Sequence, residues 1–218
     1  EAREFARAFF MAMNYYSLEK SMEIARERGV TFQDFHRSEY AKGTYFDRYL
    51  ETDFRPQSAR VRGLFAGIDL PGPTEWRRLR DEVMRHGLYH AYRQAIAPTQ
   101  SISYIQNATS SVLPVVAPIE TRTYANSTTY YPMPYLRPDN LFYYKSAYQM
   151  DQFKVLDLIA EIAAHIDQGV STVLHVNSDI TTRQLARYYL YAAKKGLKSL
   201  YYTRTNRLSV EECVSCAV

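Results

Sequence analysis

The sequence predicts an α/β fold, because a strand, a helix and a second strand follow one another near its C-terminal end. Residues 170–176 form a short apolar run, and residues 197–203 form another. The helical pattern between them is long enough to connect two parallel strands, whereas an antiparallel pair needs only a short turn. A second helical pattern covers the first thirty residues, so helices and strands both contribute to the predicted fold.

The N-terminal part of the chain is predicted to be mainly helical. Apolar residues recur at helical spacing from Phe5 to Ala25, and Gly29 then suits a left-handed helix end. A charged helix is predicted to start near Pro73 and to end at Gly87.

The middle of the chain is less regular. Residues 88–97 predict a strand that stops at Pro98. Residues 110–150 have no helical period and are rich in Pro, Ser, Thr and Tyr. Irregular connections of this length are uncommon in compact domains. The many tyrosines argue against disorder, so we expect an ordered segment that contains a hairpin.

The C-terminal helices have clear end signals. Residues 153–166 predict a helix that is closed by Gly169. Thr181 and Gln184 have the spacing of a capping box, which opens a helix that extends to about Lys195. The pattern stops at residue 206, so residues 207–218 are predicted to be a flexible tail.

Composition excludes several classes of protein. The 218 residues are 46% hydrophobic and 23% charged, which is typical of a soluble globular domain. A net charge of +4 does not by itself indicate nucleic acid or an acidic membrane surface as a partner. No apolar run approaches the roughly 20 residues of a membrane span. The chain begins Glu-Ala-Arg, as expected of the final part of a longer protein.

Both cysteines lie in the predicted tail, in Cys213-Val-Ser-Cys216. Two thiols at this spacing can close a disulfide and exchange with dithiol reductants. Glu211 and Glu212 would raise the thiol pKa. This suits a thiol pair that is handed from one partner protein to another better than an autonomous redox centre. Incidental cysteines or half a zinc site are the alternatives, although no second Cys or His pair lies nearby. His86 and His90 are separated by the helix-ending Gly87, so no metal site is predicted.

Tyrosine is unusually frequent, with 20 Tyr against 10 Phe. Tyr-Tyr pairs occur five times, and most are expected to be packing residues. The pair Tyr201-Tyr202 is more suggestive, since it lies near the end of a predicted strand, where α/β proteins often form their sites.

The segment from Pro98 to Ser103, followed by Gln106 to Thr109, is rich in hydroxyl and amide groups. Small polar residues and free backbone N–H groups after a strand can hold a phosphate. The segment is not a Walker loop, because it has no glycine and no following lysine. A helix cap made by Thr99 or Ser101 is the alternative.

Three of these features, taken in order, resemble the large subunit of class I ribonucleotide reductase. They are the hydroxyl-rich loop, Leu200-Tyr-Tyr-Thr203 after a Lys-Lys-Gly-Leu-Lys-Ser turn, and the C-terminal Cys-x-x-Cys. The ending Ser209-Val-Glu-Glu-Cys-Val-Ser-Cys216 is most similar to the class Ib bacterial form. The resemblance covers the whole chain as the C-terminal third of that subunit. It implies that residues 1–206 are the last part of a ten-stranded α/β barrel and that residues 207–218 are a redox tail.

The resemblance also implies roles for individual residues. The substrate diphosphate would be held by the loop Thr99, Gln100, Ser101, Ile102 and Ser103, with a larger share from backbone amides because Gln100 and Ile102 replace Glu and Ser of some class Ia members. Tyr201 and Tyr202 would be a stacked pair that relays a radical. Cys213 and Cys216 would re-reduce the active-site disulfide and be reduced by a glutaredoxin-like protein or thioredoxin. The helix 181–195 would form one wall of the groove for the C-terminal peptide of the small (beta) subunit.

The implied activity is that of a cytoplasmic oxidoreductase that makes deoxyribonucleoside diphosphates for DNA replication by radical chemistry. No cofactor is expected in this chain, and a dimetal-tyrosyl radical cofactor with Mn or Fe is expected in the small subunit. The thiyl-radical cysteine and the second cysteine of the active-site pair have no counterpart here. The isolated chain is therefore expected to be inactive without the remainder of the large subunit.

Two other functions remain open from the residues alone. A non-catalytic interaction module could dock a partner subunit through its aromatic surface. A free-standing thiol oxidoreductase would need its cysteine pair at a strand–helix junction, which this sequence does not provide.

Overall fold

The computed structural model describes residues 1–124 and 127–206, which form two compact units. The first unit comprises residues 1–95 and 161–169, and the second comprises the other described residues. Helices dominate the first unit, whereas the strands of the described chain lie in the second. The mixed α/β composition that the sequence predicts is confirmed.

Residues 1–95 form a series of helices of very different length. They are α1 (Ala2–Arg28), α2 (Glu39–Lys42), α3 (Asp47–Glu51), α4 (Ala59–Leu64) and α5 (Pro73–His86), with 3-10 turns at Phe35–Arg37 and Thr44–Phe46.

The remaining elements include both helices and strands. They are α6 (Gln100–Ile105), β1 (Ile119–Tyr124), β2 (Ser127–Pro132), α7 (Gln152–Ala163), β3 (Val173–Asn177), α8 (Thr182–Lys194) and β4 (Tyr202–Asn206), with 3-10 turns at Leu141–Tyr143 and Ala147–Gln149. From Glu161 onwards, α7 is counted with the first unit.

The strand–helix–strand unit is formed as predicted, with β3 and β4 parallel and α8 as the crossover. Both strands lie closer to the C-terminus than the apolar runs suggest. For β4 the reason is that Leu197 and Leu200 pack on the cluster of Leu156, Leu174 and Ala192. Residues 197–200 therefore belong to this apolar cluster, and the strand begins only after them.

The irregular segment 110–150 contains the expected hairpin. Strands β1 and β2 are antiparallel, with Ile119 opposite Pro132 and Tyr124 opposite Ser127. The described residues thus hold two separate sheets of two strands each, and no closed barrel is present among them.

The strand predicted at residues 88–97 does not form, apart from one bridge between Ile96 and Val170. The carboxylate of Asp167 accepts hydrogen bonds from the backbone N–H groups of Arg93 and Gln94, at 2.8 and 2.9 Å. These amides are therefore satisfied by a side chain instead of a strand partner. The apolar pattern cannot reveal a competitor so distant in sequence.

A stacked aromatic pair lies at the centre of the first unit. The rings of Tyr49 and Trp76 are 3.8 Å apart and nearly parallel, and both side chains are buried. Asn14, also buried, donates hydrogen bonds to the hydroxyls of Tyr49 and Tyr45, at 2.9 and 2.8 Å. The Tyr49 hydroxyl shares a further hydrogen bond with Nδ1 of His165 at 3.0 Å. The core therefore contains an internal polar network whose groups satisfy one another.

Two glycines end the long helices of this unit, in different conformations. Gly29 follows α1 at φ 65°, ψ 23°, in the left-handed helical region. Gly87 follows α5 at φ 78°, ψ −168°, a region that is essentially restricted to glycine.

Replacing Gly87 by Ala is expected to lower the free energy of unfolding by about 2 kcal/mol or more, because the backbone strain adds to a collision between the new Cβ and the Thr31 side chain. Gly29→Ala is the matched control, since no atom lies within 4 Å of its added Cβ and the cost should be about 1 kcal/mol. Urea unfolding followed by circular dichroism measures both. Equal losses would contradict this assignment.

The buried His165 makes stability depend on pH. Burial lowers the pKa of His165 to about 3, with help from the charge of Arg48. A histidine in the unfolded chain titrates near about 6.5. Below that pH the unfolded chain binds a proton at His165, whereas the folded chain leaves His165 neutral until the pH reaches its lower pKa. The free energy of unfolding therefore falls by about 1.4 kcal/mol for each pH unit below about 6.5, until the pH reaches the folded pKa.

We expect His165→Asn to reduce the slope of the unfolding free energy against pH by the amount that corresponds to about one bound proton. Asparagine keeps a polar contact but does not titrate. Urea midpoints measured at intervals between about pH 7 and pH 4.5 give the slope for each protein. The difference in slope is the test, since a second buried histidine, His175, also contributes. Parallel curves would show that His165 is not the responsible group.

Candidate functional site

A cavity of about 250 Å³ lies in the second unit, against one face of the β3–β4 ladder. Its walls are formed by that face, by the loop that follows Pro98, and by residues of the β1–β2 hairpin. The volume is slightly below the range of about 300–1,000 Å³ typical of pockets for drug-sized ligands. A cavity of this size can hold part of a nucleotide but not a whole one.

The ladder register decides which side chains reach the cavity. Val173 is paired with Tyr202 and His175 with Arg204, and all four line the cavity. Thr203 points to the other face, where its hydroxyl lies 3.2 Å from the hydroxyl of Tyr189 on α8. Successive residues of β4 thus alternate between helix and cavity, as strand geometry requires.

The pair Tyr201-Tyr202 has its two rings in contact. Their centroids are 4.8 Å apart with an angle of 64° between the planes. Contact between neighbours requires an interrupted strand, and here the strand begins at Tyr202 instead of ending after it. Tyr202 lines the cavity, and Tyr201 is 56% exposed.

The loop predicted to hold phosphate is closed by its own side chains. The Thr99 hydroxyl oxygen accepts hydrogen bonds from the Ser103 hydroxyl and the Ser111 N–H, at 2.9 and 2.8 Å. Thr99 occupies the N-cap position of α6, as the alternative interpretation expects, but its side chain makes no capping hydrogen bond to the helix. Thr99 and Gln100 both have positive φ, at 38° and 27°.

Of the five predicted loop residues, Gln100 lines the cavity, whereas Ser103 is buried and Ile102 is largely exposed. Thr109 and Ser110 from the end of the same loop also line it. The structure therefore brings one predicted loop residue and one predicted tyrosine to a common cavity.

A hydrogen-bonded cluster that the sequence analysis missed forms another part of the wall. The Tyr104 hydroxyl donates to Glu120 at 2.6 Å and accepts from Arg122 at 2.8 Å, and Arg122 also bonds to Glu120 at 3.1 Å. The Tyr131 ring stacks on Tyr104 at 4.3 Å. Burial raises the pKa of Tyr104, which keeps it a neutral donor. The cluster holds the hairpin against the loop.

His175 is the second feature that the sequence analysis missed. It is only 4% exposed, and its Nδ1 has no hydrogen-bond partner among residues 1–124 and 127–206. Its ring makes an edge contact with Tyr148 at 5.3 Å, and its backbone N–H donates to Gln152. Burial and, secondly, the charge of Arg204 lower the pKa of His175 to about 4, so the imidazole is neutral near pH 7. The two-residue period from Tyr202 could have identified Arg204, but no sequence signal marks His175.

Helix α8 begins with the predicted capping box, in which Thr181 and Gln184 bond to each other's backbone N–H groups. Its inner face packs on Leu174 through Ala192. Leu190 is 71% exposed, and Tyr189 is 46% exposed although its hydroxyl contacts Thr203. The helix therefore presents apolar side chains that are not covered by the described chain.

Cys213 and Cys216 lie outside the described residues. Within residues 1–124 and 127–206, no three His, Cys, Asp or Glu side chains are grouped so that they could bind a metal ion. None of the helices in this part of the chain is both long and apolar enough to span a membrane.

Comparison with known proteins agrees with the resemblance noted above. The family profile "Ribonucleotide reductase, barrel domain" matches residues 1–203. The ribonucleoside-diphosphate reductase subunit alpha of Bacillus subtilis is 51% identical over all 218 residues, which cover 31% of that relative. The nrdEB subunit alpha of Bacillus phage SPbeta is 52% identical over the same 218 residues, or 20% of its length.

A more distant relative is the ribonucleoside-diphosphate reductase subunit alpha of Mycoplasma pneumoniae, which is 34% identical across this whole chain and 32% of its own length. The chain thus spans a third or less of these curated relatives. Since the family profile covers nearly all of the sequence, the chain belongs to the ribonucleotide reductase barrel-domain family.

Proposed function

We propose that the chain is the C-terminal segment of the large subunit of a ribonucleoside-diphosphate reductase of the class Ib type. The observation that carries this proposal is the cavity on which Gln100 of the polar loop and Tyr202 of the tyrosine pair both open. A substrate held by the loop would lie next to the aromatic group that is proposed to transmit the radical. The relatives at 51% and 34% identity are named as subunits of this reductase.

The reaction replaces the 2′-hydroxyl of a ribonucleoside diphosphate by hydrogen. The hydroxyl leaves as water, and two thiols supply two electrons as they form a disulfide. The dimetal-tyrosyl cofactor of the small subunit, with Mn or Fe, supplies the oxidising equivalent. The segment contributes binding, relay and thiol exchange, while the hydrogen-abstracting cysteine belongs to the remainder of the large subunit.

Substrate binding is proposed for the loop Thr99, Gln100, Ser101, Ile102 and Ser103. Gln100 offers its side-chain amide at the cavity wall. The Thr99 hydroxyl is occupied by Ser103 and Ser111, so its role is to hold the loop in shape. Backbone N–H groups then supply the other contacts to the diphosphate.

Radical relay is proposed for Tyr201 and Tyr202. Their 4.8 Å ring contact allows a short electron step between them. Tyr202 faces the cavity, and the more exposed Tyr201 is available to the partner subunit. A phenol that loses an electron also releases its proton, so each ring must have an acceptor in the assembled enzyme.

The small subunit is proposed to dock on α8. Arg183, Arg187 and Lys194 give this helix a positive charge, and it carries no acidic residue. Together with the exposed Tyr189 and Leu190, these cations suit a peptide that has both apolar and acidic side chains.

Thiol exchange is proposed for Cys213 and Cys216. They would pass two electrons to the active-site disulfide and receive two from a glutaredoxin-like protein or thioredoxin. We place this cycle in the cytoplasm, where protein reductants keep thiols reduced.

Tyr202→Phe in the full-length large subunit is expected to abolish reduction of CDP, because a phenyl ring lacks the ionisable phenol. The CDP dissociation constant should stay within about twofold, since no substrate contact is assigned to the hydroxyl. Tyr135→Phe is the matched control at a tyrosine that is 87% exposed. Turnover with the small subunit and equilibrium dialysis measure the two properties. Normal turnover in Tyr202→Phe would refute the relay.

Cys213→Ser is expected to permit one turnover of pre-reduced enzyme and to stop recycling by thioredoxin or a glutaredoxin-like protein. A small dithiol should restore multiple turnover, because it reaches the active-site disulfide directly. Product formed per subunit is measured with each reductant. Multiple turnover with the protein reductant would exclude the proposed exchange role.

A further inference from the structure

The polar loop, residues 98–111, has an unusual backbone. Among the described residues, six non-glycine residues have positive φ, and four of them lie in this loop: Thr99, Gln100, Asn107 and Ser111. Positive φ is costly for a β-branched residue such as Thr99. Such conformations persist only where the surrounding structure holds them in place. The loop therefore depends on contacts that keep it in this shape.

Internal hydrogen bonds join the two ends of the loop. The Ser110 hydroxyl donates to the Pro98 carbonyl at 2.6 Å, and the Ser111 N–H donates to the Thr99 hydroxyl at 2.8 Å. Both partners of each bond belong to the loop. These bonds can close the loop, but they do not fix its position relative to the other walls of the cavity.

Tyr104 attaches the loop to the hairpin. It lies on α6 four residues after Gln100, so the two side chains share one side of the helix, and both line the cavity. The Tyr104 hydroxyl donates to Glu120 at 2.6 Å and accepts from Arg122 at 2.8 Å, and both partners are on β1. A displacement of Tyr104 would therefore carry Gln100 with it.

This attachment has a defined geometry. Glu120 and Arg122 are two residues apart on β1, so their side chains leave the strand on the same face, and they are bonded to each other at 3.1 Å. The Tyr131 ring of β2 stacks on the Tyr104 ring with 20° between the planes. Three mutually bonded polar groups and one stacked ring thus hold Tyr104 in a single position.

We propose that Tyr104, Glu120 and Arg122 form a clamp that holds the polar loop in the conformation that binds substrate. This inference rests on the proposed function and adds three positioning residues, which act through the loop. The clamp keeps the Gln100 amide at the cavity before the substrate arrives. Affinity is then higher, because binding does not have to order the loop.

The first test is Tyr104→Phe in the full-length large subunit assembled with its small subunit. The variant loses two hydrogen bonds and keeps the ring that stacks on Tyr131. KM for CDP should rise about fivefold, whereas kcat should stay within about twofold. Tyr130→Phe is the matched control, since Tyr130 is the neighbouring tyrosine of β2 and is 66% exposed. It should leave both constants unchanged.

The second test asks whether the three residues act as one unit. Glu120→Ala and Arg122→Ala are combined, which removes one charge of each sign and keeps the net charge of the cavity wall. This double variant should also raise KM severalfold. Adding Tyr104→Phe to it should cause no further rise, because the hydroxyl has already lost both partners. A rise equal to the product of the two separate effects would overturn the clamp.

Hydrogen exchange of the full-length large subunit without substrate separates the clamp from the proposed function. Tyr104→Phe should speed exchange of the amides of residues 99–111 and leave those of β3 unchanged. Urea midpoints check that each variant is folded. Unchanged exchange in the loop, or an unchanged KM, would overturn the positioning role. If wild type does not reduce CDP, the proposed function fails, while exchange still decides whether the clamp holds the loop.

Discussion

The parallel ladder between β3 and β4 is the constraint on which the candidate site depends. Its register pairs Val173 with Tyr202 and His175 with Arg204. A shift of one residue would turn Thr203 towards the cavity and move Tyr202 and Arg204 to the helix face. The register is held from that opposite face, where Leu174 is fully buried against Leu156 and Ala192. Apolar packing under α8 therefore positions the polar and aromatic groups on the other side of the strands.

The facing wall of the cavity is organised by hydrogen bonds instead of an apolar core. Thr99 closes the loop through Ser103 and Ser111, and Tyr104 connects it to the hairpin through Glu120 and Arg122. Each of these polar groups satisfies another, so an irregular segment can be ordered with little regular secondary structure. In this arrangement the Thr99 hydroxyl is occupied by Ser103 and Ser111 and is not available to a ligand. Gln100 is then the predicted loop residue that lines the cavity.

Local signals in the sequence predicted the elements well where both interacting residues are close in the chain. The capping box of Thr181 and Gln184 and the end of α1 at Gly29 depend on neighbours within four residues. The strand predicted at 88–97 was wrong because Asp167, more than seventy residues away, binds the amides that a strand would use. The radical and thiol roles of Tyr201, Cys213 and Cys216 stay predictions, and the two cysteines lie outside the described residues.

By itself the sequence determined the helices, the parallel strand–helix–strand unit and the resemblance to a reductase family, because these depend on periodicity, end signals and motif order. Only the tertiary structure decided that Gln100 reaches the cavity while Ser103 is buried, and that Arg122 is paired with Glu120. The direction and partners of a side chain depend on strand register and on residues far apart in the chain. No local pattern encodes those contacts, so the charge of the cavity wall became evident only in the folded protein.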